Sequence, residues 1–367
     1  MRTTSLDLDA RPILVFWETT KACGLACRHC RAEAIACPAP GELDDTEARR
    51  LLDTAAGFGT PPPVLVATGG DVLERAGLDG LIEHARALRL PVALAPSVTP
   101  LLTDERVAAM RAAGVKVASI SLDGAAAATH DGIRGIPGHH ADTLEAIRRL
   151  RRHGVVVQVN TVVMRETVDE LPTIARLVRD LGASIWELFF LIQVGRGRVL
   201  GELSPEENED VCHFLADASQ YGFVVRTVEA PFFRRVVAER ERSEAGLPGP
   251  LYRRLAAALT AELGEPTARS KAQTKGTRDG RGIVFVGHDG AIHPSGFLPL
   301  ALGNVLEDDL VEVYRDHTLL RRIRAAEFSG SCGTCAFRTL CGGSRARAYA
   351  ATGDPLASDP ACALVAA

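Results

Sequence analysis

Short apolar segments alternate with amphipathic segments six times between residue 13 and about residue 192, and this alternation restricts the fold more than any other feature. The apolar segments, which we predict to be β-strands, are Ile13–Glu18, Val64–Thr68, Val92–Ala95, Lys116–Leu122, Val155–Val163 and Ser184–Leu191. The predicted helices between them are Thr46–Phe58, Leu78–Leu88, Thr103–Ala113, Ala141–His153 and Val168–Leu181. Six βα units with apolar strands predict a parallel sheet, curved or closed, that helices cover. Chemistry in parallel α/β barrels takes place at the carboxyl ends of the strands.

The length of 367 residues favours two domains or slightly more. We expect a barrel over residues 1–204, a helical and mobile connection that could form a lid over 205–281, and a small α+β domain over 282–367. The last of these begins with a predicted hairpin, Ile283–Val286 and Ala291–His293, and carries the final four cysteines. The formal charge of −4 is small, so we expect no nucleic-acid partner. With no membrane-spanning run and no signal peptide before the first strand, we expect a cytoplasmic protein without membrane contact.

Three cysteines follow the first predicted strand directly, with the spacing C-x3-C-x2-C: Cys23, Cys27 and Cys30. Nine cysteines in a chain without an export signal favour metal ligation over disulfides. Thiolates at these intervals can bind three irons of a [4Fe–4S] cluster and leave the fourth iron open for a substrate. A zinc site or three buried thiols are the alternatives.

The triplet has the spacing of the radical S-adenosylmethionine (SAM) superfamily, which the chain resembles. The resemblance implies a partial (β/α)6 TIM-like barrel, in which the open iron binds SAM and an electron cleaves SAM to a 5′-deoxyadenosyl radical. It also implies a flavodoxin- or ferredoxin-type reductant. The SAM-binding residues that it implies lie in the cysteine loop and near the strand ends: His29, Gly69, Gly70, Asp71, Ser121, Arg134, Asn160 and Gln193.

For some of these residues an ordinary structural role is the alternative to SAM binding. His29 stands where relatives carry an aromatic residue that packs over SAM, but it could equally be a plain loop residue. Asp71 replaces the glutamate that is usual after two glycines, and its side chain is one methylene shorter. Asn160 would serve a ribose hydroxyl or a hydrogen bond in the core equally well. We interpret Asp123, in Ser121-Leu122-Asp123-Gly124, as a residue of the turn that ends its strand.

The last cysteines form a second set: Cys332, Cys335, Cys341 and Cys362. They resemble the SPASM (twitch-like) C-terminal extension of radical SAM enzymes, which implies a single auxiliary [4Fe–4S] cluster. Ser295 and Arg345 stand where that pattern has further cysteines. A zinc knuckle on the same four thiols is the alternative. The two other cysteines, Cys37 and Cys212, are interpreted as packing residues.

The resemblance implies an enzyme, a lyase or an oxidoreductase, with a small-molecule substrate. We favour decarboxylation of a sugar acid or glycosyl nucleoside in antibiotic or other natural-product biosynthesis. A haem-precursor (porphyrin) decarboxylase, a peptide-modifying maturase and a non-catalytic iron–sulfur electron carrier are the alternatives. A maturase is disfavoured because only 12 residues precede the first predicted strand, which leads us to expect no leader-binding domain. The candidate catalytic residues are Glu187 as a proton donor, Glu33 near the strand ends, and Arg196 (or Arg198) as the ligand of a substrate carboxylate.

Overall fold

The computed structural model describes residues 7–266, 268–274 and 277–366. Within these residues ten strands form one sheet, in the order β10-β9-β8-β1-β2-β3-β4-β5-β6-β7. The strands are β1 (Leu14–Glu18), β2 (Val64–Thr68), β3 (Val92–Leu94), β4 (Val117–Ser121), β5 (Val156–Val163), β6 (Ile185–Phe190), β7 (Val224–Val228), β8 (Ile283–Val286), β9 (Ala291–His293) and β10 (Gly303–Asn304). The helices are α1 (Asp45–Ala56), α2 (Leu78–Ala87), α3 (Asp104–Ala113), α4 (Ala127–Arg134), α5 (His139–Arg152), α6 (Leu171–Asp180), α7 (Pro205–Ala218), α8 (Phe233–Glu241), α9 (Pro250–Leu263), α10 (Leu310–Asp316), α11 (Thr318–Arg324), α12 (Gly330–Thr334), α13 (Arg345–Thr352) and α14 (Ala363–Ala366).

Strands β1 to β7 are all parallel, and β7 does not pair with the opposite edge of the sheet, so the barrel is partial. Burial alternates along each strand: in β6, for example, Trp186, Leu188 and Phe190 are buried, whereas the residues between them are partly exposed. The buried set joins a core shared with the helices. The intervening residues therefore face the interior of the barrel. This arrangement confirms the predicted α/β fold with a partial TIM-like barrel.

The predicted hairpin exists with the predicted bounds, but it belongs to the sheet of the barrel. Strand β8 pairs in parallel with β1, with Ile283 opposite Leu14, and β9 returns antiparallel to β8. A division at residue 281 would therefore cut across one continuous sheet. The prediction missed this pairing because β8 is separated from β1 in the chain by the whole barrel.

The connection predicted over residues 205–281 contains three helices and the seventh parallel strand. Helix α7 begins at a capping box, in which Ser204 accepts from the N–H of Glu207 (3.2 Å) and the Glu207 carboxylate accepts from the N–H of Ser204 (2.8 Å). Helix α9 packs on α6 and α7 through buried leucines. Through these contacts α9 joins the outer helical layer, and the possible lid over residues 205–281 stays a prediction.

Candidate functional site

The first three cysteines lie on one loop between β1 and α1. A bridge between Ala22 and Ile35 closes its base, and the N–H of Cys23 donates to the carbonyl of Ile35 over 2.8 Å. Cys27 is buried, whereas Cys23 and Cys30 are partly exposed. The loop thus presents three free thiols from one short segment at the carboxyl end of β1, the barrel mouth.

Arg196 holds this loop from the far side of the barrel. It lies in a short 3₁₀ turn after β6, and its Nε donates to the carbonyl of Cys27 (2.9 Å) while one Nη donates to that of Ala34 (3.0 Å). Its own N–H donates to the carbonyl of Cys30 (3.1 Å). A guanidinium bound to two backbone carbonyls positions the cysteine loop, so this geometry does not support the predicted role of Arg196 as a carboxylate ligand.

The two glycines after β2 make a close backbone contact with the segment that leads into the cysteine loop. The N–H of Gly70 donates to the carbonyl of Thr20 (2.8 Å), and that of Asp71 donates to the carbonyl of Ala22 (2.7 Å). A methyl group on Gly69 would overlap the Thr20 carbonyl, and one on Gly70 would overlap that of Ala22. Glycine is therefore required here for contact between two backbone segments.

Asp71 is fully buried and its carboxylate is occupied by protein donors. It accepts from the hydroxyl of Thr99 (2.8 Å) and from the N–H groups of Leu73 (3.1 Å) and Ser97 (3.2 Å). Burial raises the pKa of Asp71, and these hydrogen bonds oppose the rise. The Ser97 hydroxyl lies 3.6 Å from the Cys23 sulfur. Asp71 therefore fixes the ends of β2 and β3 beneath Cys23. This role differs from the direct contact with SAM that the resemblance implied for Asp71.

Asp123 connects three parts of the mouth, although the sequence suggested only a turn residue. Its carboxylate accepts from Arg134, from His29 Nε2 (3.0 Å) and from the N–H of Val162 (2.9 Å). A second donor of Arg134 points at the Cys27 sulfur over 3.5 Å. Burial disfavours the charged Asp123, but Arg134 and His29 outweigh burial and hold the pKa of the carboxyl far below its usual range. His29 and Arg134 are thus committed to Asp123 and orient the cysteine loop.

A row of polar side chains crosses the barrel interior on four neighbouring strands. We call Ser121 of β4, Asn160 of β5, Glu187 of β6 and Arg226 of β7 the polar row, because each is directly opposite the next in the strand register. All four are partly exposed. The row brings together three predicted site residues, Ser121, Asn160 and Glu187, and adds Arg226, which the sequence analysis missed.

Glu187 is the most perturbed member of the polar row. The side-chain amide of Gln158 donates to it over 2.7 Å and to the Asn160 carbonyl oxygen over 2.8 Å. Arg226 Nε lies 3.6 Å from the other carboxylate oxygen. Burial raises the pKa of Glu187, against the opposing effects of Arg226 and Gln158. The raised pKa agrees with the predicted proton donor, a role that stays a prediction.

Two predicted residues lie away from the polar row. Glu33 is exposed on the cysteine loop, with a left-handed backbone (φ 49°). Gln193 is exposed, and its amide donates to the carbonyl of Leu200 (3.3 Å) in the turn that carries Arg196. Their predicted roles in catalysis and SAM binding stay predictions.

Aromatic side chains form the opposite wall of the mouth. Phe285 of β8 pairs with Phe16 of β1 in the register, and Phe297 lies 6.2 Å from Phe189 of β6, measured between ring centroids. The Arg31 guanidinium lies 4.9 Å from the Phe285 ring centroid. The interior is therefore polar along the row on β4 to β7, and aromatic at Phe189 of β6 and towards β8.

Arg31 also takes part in an ion pair that links the C-terminal hairpin to the cysteine loop. The buried carboxylate of Glu18, at the end of β1, accepts from Arg31 (3.1 Å) and lies 3.2 Å from His288 Nδ1. The hydrogen bond with Glu18 raises the pKa of His288. No sequence pattern marked this contact, because its members are up to 270 residues apart.

The four C-terminal cysteines line one cavity of about 290 Å³, as the sequence analysis predicted for a common site: Cys332, Cys335, Cys341 and Cys362. Among the described residues, no three His, Cys, Asp or Glu side chains are close enough together to hold one metal ion. Cys212 is buried in the core and Cys37 is exposed, and neither lines this cavity.

Arg345, at one of the positions where the resemblance leads one to expect a cysteine, replaces that thiol with a buried cation. Its guanidinium donates to the carbonyls of Pro355 (3.1 Å) and Ala357 (2.6 Å) and lies 4.4 Å from the ring centroid of Phe328. One of its nitrogens lies 3.9 Å from the Cys332 sulfur. Arg345 thus braces the cysteine cavity through backbone contacts.

Comparison with known proteins gives the family. Residues 17–178 match the model of the radical SAM superfamily. The AdoMet-dependent heme synthase of Oleidesulfovibrio alaskensis is 36% identical over 353 residues, which cover 95% of this chain and 86% of that protein. The chain belongs to the radical SAM superfamily. The pre-heme d1 synthase of Dinoroseobacter shibae is 30% identical, over 96% of this chain and 87% of that protein. The crystal structure of Streptococcus suis SuiB bound to S-adenosylmethionine matches with a TM-score of 0.72 at 13% identity, over 96% of this chain and 78% of that one, and it supports the fold alone.

Membership of the radical SAM superfamily establishes SAM and a [4Fe–4S] cluster as cofactors of this enzyme. The donor set suits them, because one loop presents three free thiols, the number of protein ligands that a cluster with an open iron requires. The helices of the described residues include none that is both long enough and apolar enough to cross a bilayer.

Proposed function

We propose that this radical SAM enzyme acts on a haem precursor and removes a carboxylate from the periphery of the tetrapyrrole as CO₂. The observation that carries the proposal is the nearly full-length similarity to a heme synthase. A second relative named for a haem pathway, the pre-heme d1 synthase, supports the same substrate class. These relatives favour the haem-precursor alternative over the sugar or nucleoside substrate that the sequence analysis preferred, and a role in antibiotic biosynthesis has no support among them.

The lining of the barrel agrees with a flat, largely apolar substrate that carries charged groups. Phe189 and Phe297 are neighbours near the mouth, with their rings tilted by 49° to each other, and Phe285 lies on β8. Aromatic side chains suit the faces of a conjugated macrocycle. The polar row across the interior would contact the charged groups at the edge of the substrate.

Cys23, Cys27 and Cys30 would hold the SAM-binding cluster. When bound, this cluster and SAM supply a 5′-deoxyadenosyl radical, which takes one hydrogen atom from the substrate and becomes 5′-deoxyadenosine. Asp123 would keep the loop in place through His29 and Arg134. Arg196 would do so from the other side.

The C-terminal cysteines would hold an auxiliary [4Fe–4S] cluster. Loss of CO₂ from a carbon radical beside the carboxylate-bearing carbon forms a C=C bond and leaves one electron, so the reaction needs a one-electron acceptor, and this cluster would serve. A cytoplasmic flavodoxin- or ferredoxin-type protein would supply the electron that cleaves SAM.

The test is an anaerobic reaction of the reconstituted enzyme with SAM, dithionite and iron-coproporphyrin III, an iron porphyrin with four propionate side chains. We expect 5′-deoxyadenosine together with a porphyrin that is lighter, in its protonated form, by CO₂ and two hydrogens for each propionic acid converted to vinyl, detected by mass spectrometry; one hydrogen is the abstracted atom and the other is the carboxyl proton. Cys27→Ala should abolish both products. Formation of 5′-deoxyadenosine with an unchanged porphyrin would refute the substrate class and leave the radical chemistry intact.

A further inference from the structure

Arg226 is the member of the polar row that has a buried nitrogen without a hydrogen-bond partner. It lies in the middle of β7 with its side chain about one quarter exposed, and that side chain forms no hydrogen bond with the described residues. Its Nε is buried without a partner. Arg226 Nε lies 3.6 Å from Glu187 Oε1 in a long ion pair, while Gln158 donates to the other carboxylate oxygen of Glu187. The guanidinium therefore has donors available beyond this ion pair.

A guanidinium in such a place is costly unless an anion compensates it. The other arginines around the mouth donate hydrogen bonds to protein groups, although Nη2 of Arg196 and Nε of Arg134 are also buried without a partner. Arg31 is paired with Glu18 and Arg134 with Asp123, while Arg196 and Arg347 donate to backbone carbonyls. Arg226 differs from these arginines because its guanidinium donates no hydrogen bond to the described residues. Arginine suits carboxylates because its planar fork can donate two parallel hydrogen bonds.

We propose that Arg226 binds a carboxylate of the substrate and thereby sets its position in the barrel. This inference rests on the proposed function, since it assigns one peripheral carboxylate of the tetrapyrrole to Arg226. The register places Arg226 two strands from Asn160, which corresponds to about 10 Å at the usual strand spacing. The carboxylate on Arg226 would therefore lie well away from the adenosine expected near Asn160 and Ser121. A large substrate could thus be anchored at one edge while hydrogen abstraction takes place at another.

Binding can be measured without turnover, by titrating the reconstituted full-length enzyme with iron-coproporphyrin III and following the visible absorption of the porphyrin. Arg226→Gln should raise the Kd about 10- to 100-fold, as expected for loss of a charged hydrogen bond. The Kd of Arg226→Lys should lie between those of the wild type and Arg226→Gln, because lysine keeps the charge but cannot donate two parallel hydrogen bonds. The matched control is Arg111→Gln, an exposed arginine in the last turn of the outer helix α3, which should stay within twofold of the wild type.

A second titration uses the tetramethyl ester of the same porphyrin, which has no carboxylates. We expect the ester to bind the wild type and Arg226→Gln equally weakly. The iron content and the unfolding midpoint of each variant verify that it is folded. If Arg226→Gln is not folded, Arg226→Lys takes its place in both titrations. If the Kd for iron-coproporphyrin III is the same in the wild type and in both Arg226 variants, the inference is overturned, while the proposed function still stands. If the wild type binds neither the acid nor the ester, the proposed function and this inference fail together.

Discussion

Replacement of Asp123 by asparagine is the perturbation for which the structure makes the sharpest stability prediction. Asparagine has nearly the same shape, but it removes the negative charge that faces Arg134. The side chains of both residues are buried, with 1% of Asp123 and 10% of Arg134 exposed. Removal of one partner from a buried ion pair leaves an uncompensated charge and costs about 3–5 kcal/mol. We therefore expect Asp123→Asn to lower the free energy of unfolding by about that amount.

The measurement is urea unfolding of the anaerobically reconstituted protein, followed by circular dichroism. The matched control is Asp53→Asn, which removes the acidic partner of His84 in a pair of similar length (2.8 Å) whose aspartate is 54% exposed. That variant should lose less than about 1 kcal/mol. The double variant Asp123→Asn/Arg134→Gln should recover part of the loss, because it no longer buries an unpaired cation. A cost for Asp123→Asn as small as that of the control would refute the reasoning.

The same pair predicts a dependence on pH. The pKa of Asp123 is lower in the folded protein than in the unfolded chain, where it is about 3.9. The stabilisation is therefore complete above that unfolded value and is lost as the pH falls further. The difference in stability between the wild type and Asp123→Asn should be constant from pH 5 to 8 and should shrink below about pH 4.

Three further outcomes are expected. Gly70→Ala should reduce the iron bound at the N-terminal loop, measured by iron analysis, because its methyl would displace the Ala22 carbonyl, while Gly41→Ala, with open space around it, should reduce it less. Burial lowers the pKa of His130 to about 3, so the unfolded chain binds a proton at this residue more readily than the folded protein between about pH 3 and pH 6.5. The free energy of unfolding should therefore fall by up to about 1.4 kcal/mol per pH unit as the pH decreases through this range. His130→Gln should flatten that slope in urea titrations at a series of pH values. Cys335→Ala should remove about four irons per chain, whereas Cys37→Ala should remove none; equal iron in both variants would contradict the auxiliary cluster.

The sequence predicted local structure well wherever local pattern and local packing coincide. Strands β1 to β6 lie where the apolar runs indicated, and the four C-terminal cysteines meet at one cavity. Helix α4 was missed because it is short, contains Gly132, and has no capping side chain at Ala126. Its last residue, Arg134, was singled out, but its partner was not.

The partners of polar side chains were the least predictable part of the site. Asp123 looked like a turn residue, because the charges that make it important come from the cysteine loop and from α4. Arg226 stands in an ordinary alternating strand, Val-Val-Arg-Thr-Val, where a lone arginine is usually a solvated residue. Only the register across β4 to β7 shows that it continues a polar row. Arg196 was correctly placed near the mouth, yet its target is backbone, which no side-chain pattern encodes.

The pairing of β1 with β8 has a consequence for the order of events during synthesis. The first strand and the cysteine loop leave the ribosome early, but β8, which completes the hydrogen bonding of β1, begins at Ile283. At translation rates of roughly 5–20 residues per second, that interval lasts on the order of 15 to 50 seconds. His288, which fastens the hairpin to Glu18 beside the loop, arrives still later. During that interval the nascent chain keeps the three thiols uncovered on this side, a window for the delivery of iron and sulfide before the sheet closes beside them.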